Sequence, residues 1–369
     1  MLDSVILQES APHSRGAALT AVVPGLALAT LLAGACIWGA ADGGQLLFAT
    51  ATSPISPVLL AIVVGALLGS YVRWPAALAP GLRFAGSSVL RIGIALIGLR
   101  LALVSLGELS VRAAPIVAGC LLIAALVIPR ICRWLGVSRE SSILLTVGTA
   151  ICGCTAVLAV APIIRASAAQ TGYAVATVML LGLCGVIAYP FLAHWLFANA
   201  PVAAGIFLGT AIHDTSQVVG AGLVYSQQFH SPQALAAATV AKLLRNLSLA
   251  VVVPGLAWRA ARAHNPGAAP GRFTSYVPWF VVGFILCAAL RTVGDTVATG
   301  NHSLQGRWDA VLGYASHTAE WCLTIGMSAT GMTLSGAGIR SLGFKPLLAG
   351  LVAALLVAAT SLSLLLAFY

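Results

Sequence analysis

Polar residues able to do chemistry fall within four apolar runs of this chain. Lys242, Arg245 and Asn246 interrupt "ALAAATVAKLLRNLSLAVVVP" at positions i, i+3 and i+4, on one helical face. His213 and Asp214 stand side by side in "GIFLGTAIHDTSQVVGAGLVY", with Gln217 one turn on. Thr149, Cys152, Gly153 and Thr155 crowd the centre of "SSILLTVGTAICGCTAVLAVAPIIRA". His317 and Glu320 share a stripe with Thr324 and Ser328 in "WDAVLGYASHTAEWCLTIGMSATGMTLS".

Each group suggests a chemistry and also a plainer role. A Lys or Arg at the centre of a membrane helix costs about 2.5–3.5 kcal/mol, and a Leu returns only about 0.5. The Lys242 helix is therefore marginal alone and needs partners. Asp214 is the expected acceptor for Lys242 or Arg245, either as a structural ion pair or as an exchangeable one, with a substrate anion or a proton competing for the same cations. Arg suits a planar, bidentate oxyanion contact and Lys a compact charge. The glycines and threonines around Cys152 mark either close helix packing or an interrupted helix. His317 and Glu320 form either a satisfied seam or a proton-sensitive wall.

The elements that position these residues follow from composition. The chain has 369 residues, is 60% hydrophobic and 8% charged, and has a mean hydropathy of +1.00. A soluble domain carries about 25% charged residues. The expected fold class is all-α, because backbone groups in lipid must be satisfied within a segment. The fold is a polytopic membrane protein of about eleven spans, roughly 17–38, 55–71, 88–106, 113–130, 141–165, 172–197, 201–224, 233–256, 276–291, 308–333 and 345–367. Residues 1–16 are the expected N-terminal tail and 17–38 an extra helix. Lys and Arg number twelve between spans on one side and four on the other, which places the N-terminus in the cytoplasm and the C-terminus outside. The net charge of +10 thus orients the chain and does not indicate nucleic acid.

Two internal echoes bear on organisation. "IGIALIGLRL" (92–101) resembles "IGMSATGMTL" (325–334) in spans of opposite orientation, as an inverted repeat gives. "GTAI" occurs at 148–151 and again at 209–212, which fits no such scheme and reads as local similarity.

The stretches "GTAICGCTAVLAVAPII", "GTAIHDTSQVVGAG", "ATVAKLLRNLSLAVVVP" and "IGIALIGLRL" resemble the YeiH-type family of bacterial inner-membrane proteins, often labelled sulfate exporters. The resemblance runs over roughly 55–367. The family pattern has a small residue where this chain has Cys154, and commonly valine-alanine at Thr215-Ser216, so no role carries over to Cys154. That family is in turn similar to transporters built from two inverted five-helix repeats with interrupted, crossing helices. The resemblance implies repeats over 55–197 and 201–367, with the fifth and tenth spans as the crossing pair.

The expectation is a secondary transporter in the bacterial inner membrane that exports or exchanges a small sulfate-like or organic anion, coupled to a proton or ion gradient. Lys242, Arg245, Asn246, Thr149, Cys152, Gly153, Thr155 and Gln217 are expected to bind substrate. His213, Asp214, His317 and Glu320 are expected to couple protons or ions. A cation/proton antiporter using Asp214 or Glu320 is the alternative. The chain has no G-x-x-x-x-G-K-[ST], G-x-S-x-G or H-E-x-x-H motif and no Cys/His metal spacing. No enzyme activity, cofactor or metal is expected. The expected partners are the bilayer, the small anion and, if it self-associates, a second copy of the chain.

Overall fold

Helix starts follow cap chemistry. Ser56, Ser138 and Ser167 accept hydrogen bonds from the first turns they precede, and Ser167 with Gln170 makes a reciprocal capping box. Pro57, Pro201 and Pro232 stand in first turns, where a missing N–H removes nothing.

The structure is a computed structural model describing residues 15–48, 56–72, 74–249, 251–252, 255–256, 279–299, 302–333 and 344–368. The helices are α1 (Arg15–Phe48), α2 (Pro57–Tyr71), α3 (Ala76–Arg100), α4 (Leu103–Trp134), α5 (Arg139–Ala150), α6 (Cys154–Val160), α7 (Ala168–Phe197), α8 (Pro201–Ala211), α9 (Thr215–Gln228), α10 (Pro232–Leu247), α11 (Trp279–Ala298), α12 (His302–Thr333) and α13 (Phe344–Phe368). α3 begins and ends in 3₁₀ turns and carries a π segment at Ala85–Val89. There is no strand among the described residues. Among the described residues six helices, in α1, α3, α4, α7, α11 and α13, are long and apolar enough to cross a membrane.

The helices pack as two bundles, each drawn from both halves of the chain. α1, α2, α3, α11 and α12 form one; α4 to α10 and α13 form the other. α9 is the main bridge: it packs on α2 and α12, its Gly220 lies against Met327, and Gln227 accepts a 2.6 Å hydrogen bond from Ser56 at the cap of α2.

Several expectations need correction. The tenth segment is not interrupted; α12 runs unbroken from His302 to Thr333. Its glycines make close helix contacts instead. A Cβ on Gly331 would lie 2.7 Å from the Ile62 carbonyl, and one on Gly326 would lie 2.5 Å from the Leu90 side chain. The segment broken along with the fifth is the seventh, between α8 and α9. The third segment is not 88–106, because α3 starts at Ala76 and ends at Arg100. "WPAALAPGL" reads as a loop for its prolines and glycine, yet Pro80 sits in a first turn and Gly81 packs on α1. α4 continues through Pro115 and Pro129. The 257–275 linker and most of the 1–16 tail lie outside the described residues.

Glycine spacing also sets a close helix contact beside the breaks. Gly205 and Gly209, one turn apart on α8, admit α10: added Cβ atoms would meet the Ala234 carbonyl at 2.3 Å and the Ala238 carbonyl at 2.6 Å. Gly209→Leu therefore forces the two helices apart, and overpacking of this kind costs about 1–3 kcal/mol. In thermal denaturation of detergent-purified protein, Gly209→Leu should melt several degrees below the parent. Gly107→Ala, where a Cβ meets nothing within 4 Å, should melt with it.

Candidate functional site

Two helices end in the interior, each at the alanine of the same four residues, "GTAI". α5 ends at Ala150; Ile151 leaves helical geometry at φ −114°, ψ −92°. Gly153 then takes φ +64°, ψ −127°, a region that favours glycine, and α6 resumes at Cys154. α8 ends at Ala211, and Ile212 is extended at ψ 141°. Asp214 caps α9 by accepting from the Ser216 N–H at 3.0 Å, and it also accepts from the Ser216 hydroxyl. The breaks touch: a Cβ on Gly153 would stand 2.9 Å from Asp214 Oδ2 and 3.0 Å from Asp214 Cα. Gly153 is therefore needed for both its φ and this approach.

A helix that stops leaves its last carbonyls without intrahelical partners. Here the donors come from α10, whose Lys242 and Arg245 are both 0% exposed. Lys242 Nζ donates to the carbonyls of Ile151 at 2.9 Å, Ile212 at 3.2 Å and His213. Arg245 donates through Nε to Ala150 O at 2.9 Å and through Nη2 to Thr149 O at 2.6 Å. Its Nη1 faces the carbonyls of Gly209 at 3.5 Å, Ile212 at 3.4 Å and Thr210. Three carbonyls of the first break and four of the second are thus held by two side chains.

The expected Asp214 ion pair with Lys242 or Arg245 does not form among the described residues. The reason is the direction of the peptide dipoles. The C-terminal ends of α5 and α8 are electronegative and take the cations, while the N-terminal end of α9 is electropositive and takes the carboxylate. Lys242, Arg245, Asn246, His213, Asp214, Gln217, Thr149, Cys152 and Gly153 do come together at the breaks. Thr149 contributes through its carbonyl, and Cys152 is buried. Thr155, one residue into α6, is exposed, and Asp214 and Cys154 are half-buried. Asn246 donates to Thr215 Oγ1 at 3.1 Å and Gln217 to the Met179 carbonyl at 3.0 Å. Three atoms here, His213 Nδ1, Gln217 Oε1 and Asn246 Oδ1, are buried without a hydrogen-bond partner among the described residues.

His317 and Glu320 are not brought to this place. Glu320 pairs with Arg100 Nη2 at 2.6 Å, and Arg100 Nε donates to Ser316 Oγ at 2.6 Å. The exposed His317 accepts through Nε2 from the Trp321 Nε1–H at 3.1 Å. Thr324 bonds back to the Glu320 carbonyl and Ser328 ties α12 to the Ala29 carbonyl of α1. The stripe belongs to the other bundle: Thr324 and Ser328 are packed inside it, Glu320 is half-buried and His317 is exposed. Main-chain carbonyls carry no mark in the sequence as acceptors; the repeated "GTAI" is the signal that points to both breaks.

Long apolar helices around a fully buried cationic centre define an integral membrane protein. The chain belongs to the family described as Conserved hypothetical protein 698, whose model matches residues 24–350. It is 32% identical over 349 residues to the UPF0324 inner membrane protein YeiH of Salmonella typhi, with 89% of each chain covered. The YeiH protein of Escherichia coli K12 is 30% identical over 343 residues, again with 89% of each chain covered. A UPF0324 membrane protein of Pseudomonas aeruginosa is 32% identical over 340 residues, covering 89% of each chain. No solved structure matches the chain.

Removing either cation orphans several buried carbonyls at once, at roughly 1–3 kcal/mol per group. Arg245→Ala should therefore reduce the yield of monodisperse, detergent-purified protein and lower its melting temperature by more than Gly209→Leu does. Glu320→Gln, at a half-exposed pair, should change stability little. Equal, small effects of Arg245→Ala and Glu320→Gln in size-exclusion profiles and melting curves would contradict the capping role.

Proposed function

We propose that the chain is a secondary transporter that moves a small anion, sulfate-like or organic, across the bacterial inner membrane, coupled to a proton or ion gradient. One observation carries this reading: two helices break at the same place in the protein interior, and their ends are held by buried cations. Irregular backbone at membrane depth is tolerated where it lines a cavity, and interrupted helices are how many secondary transporters build a central site. The reading takes eleven crossings with the N-terminus cytoplasmic and the C-terminus outside. It also retains an inverted relation between the two halves, although the breaks fall in the fifth and seventh segments.

In this mechanism Lys242 and Arg245 do not grip the substrate. They hold the crossing together and leave it net cationic. Asp214 is the resident anion at the start of α9, where it accepts from Ser216 N. A solute anion and the Asp214 carboxylate compete for that position. A proton on Asp214 weakens its hold and admits the anion, which couples the two movements. His213, Gln217 and Asn246 supply the adjacent unpartnered polar atoms, and Cys152, Thr149, Gly153 and Thr155 shape the opposite break. The two bundles then move against each other around the crossing.

A cation/proton antiporter is the second reading, favoured by the half-buried Asp214 carboxylate at the crossing; Glu320 is engaged by Arg100 and is set aside. Purified protein in liposomes separates the two. Uptake of a labelled anion from a panel of sulfate, sulfonates and carboxylates, driven by a pH gradient without Na⁺ or K⁺, is the expected result. Asp214→Asn should retain flux and lose its pH dependence. Proton movement that follows Na⁺ or K⁺ and ignores every anion would establish the antiporter instead.

A further inference from the structure

We propose that the point occupied by the Lys242 ammonium is a monovalent-cation site of the fold, filled in this chain by a tethered cation. Three main-chain carbonyls converge there from two separate breaks: Ile151 at 2.9 Å, Ile212 at 3.2 Å, and His213. No carboxylate completes the set among the described residues. Cages of neutral carbonyl dipoles are what replace the hydration shell of an alkali ion, and an ammonium presents the same single charge at a similar size. Ca²⁺ and Mg²⁺ recruit carboxylates as well as neutral oxygens, so the ligand class here is K⁺, Na⁺ or a small primary alkylammonium.

The surroundings fit an exchange of one cation for the other. Arg245 holds the carbonyls of Thr149, Ala150 and Thr210 and shares that of Ile212 at 3.4 Å, so the breaks keep one fixed charge when the ammonium is removed. His213, whose carbonyl is a ligand, precedes the half-buried Asp214, so the cage lies one peptide from accessible surface. Shortening Lys242 removes the charge and leaves the three oxygens aimed at one point. The inference concerns the crossing itself and holds whichever solute the chain carries.

The test is the melting temperature of detergent-purified parent, Lys242→Ala and Lys242→Ser at constant ionic strength, with choline chloride replaced by KCl, NaCl or methylammonium chloride. The parent should not distinguish these salts. The variants should melt lowest in choline and gain a few degrees, saturating with concentration, in at least one of the others. Equal melting in choline and in all three cations, or an equal gain in the parent, overturns the proposal. So does failure of both variants to fold in cells, where cytosolic K⁺ is available to fill the cage.

Discussion

Carbonyls left behind by a stopped helix cannot be buried unpaired, and that constraint organises this protein. Two helices stop in its interior, and seven main-chain oxygens are taken up by two side chains of α10. Charges are sorted along the peptide dipoles. Each half-helix end carries about half an elementary charge, negative at a C-terminus and positive at an N-terminus. Cations therefore lie on the stopped ends of α5 and α8, and Asp214 lies on the restarting end of α9. A direct pair between Asp214 and Lys242 would satisfy neither helix.

The rest of the second bundle serves that arrangement. Gly205 and Gly209 let α10 approach α8 closely enough for Arg245 to reach Gly209 and Thr210. Thr210 is tied in turn to Ser361 of α13 at 2.6 Å. On the far side α7 presents Gly182 to Gln217 and the Met179 carbonyl to its amide. The first bundle touches the crossing through the continuation of α9, along Gly220–Met327 and Gln227–Ser56.

Much of this was legible in the residues, for identifiable reasons. A Lys and an Arg on one face of an apolar helix are expensive enough to announce a buried partner, and that partner region is where His213 and Asp214 stand. What the pattern could not give was the partner's identity, because main-chain carbonyls carry no side-chain signature. The "GTAI" echo was visible, but an inverted-repeat expectation had no place for it. Glycine has two uses that composition alone does not separate: in α12 it permits contact with Leu90 and Ile62, whereas at 153 it permits a positive φ. The Arg100–Glu320 pair was missed because the two residues lie 220 positions apart.

The span between the donors and their acceptors also bears on biosynthesis. Arg245 reaches carbonyls 95 and 96 residues earlier in the chain. A ribosome therefore delivers α5 and its broken end well before the side chain that satisfies it. Until α10 arrives, those carbonyls must be shielded by water or by the insertion machinery, and α10 itself inserts poorly without them. The two halves of the crossing are mutual chaperones, and a nascent chain arrested before residue 245 lacks the donors that its earlier carbonyls need.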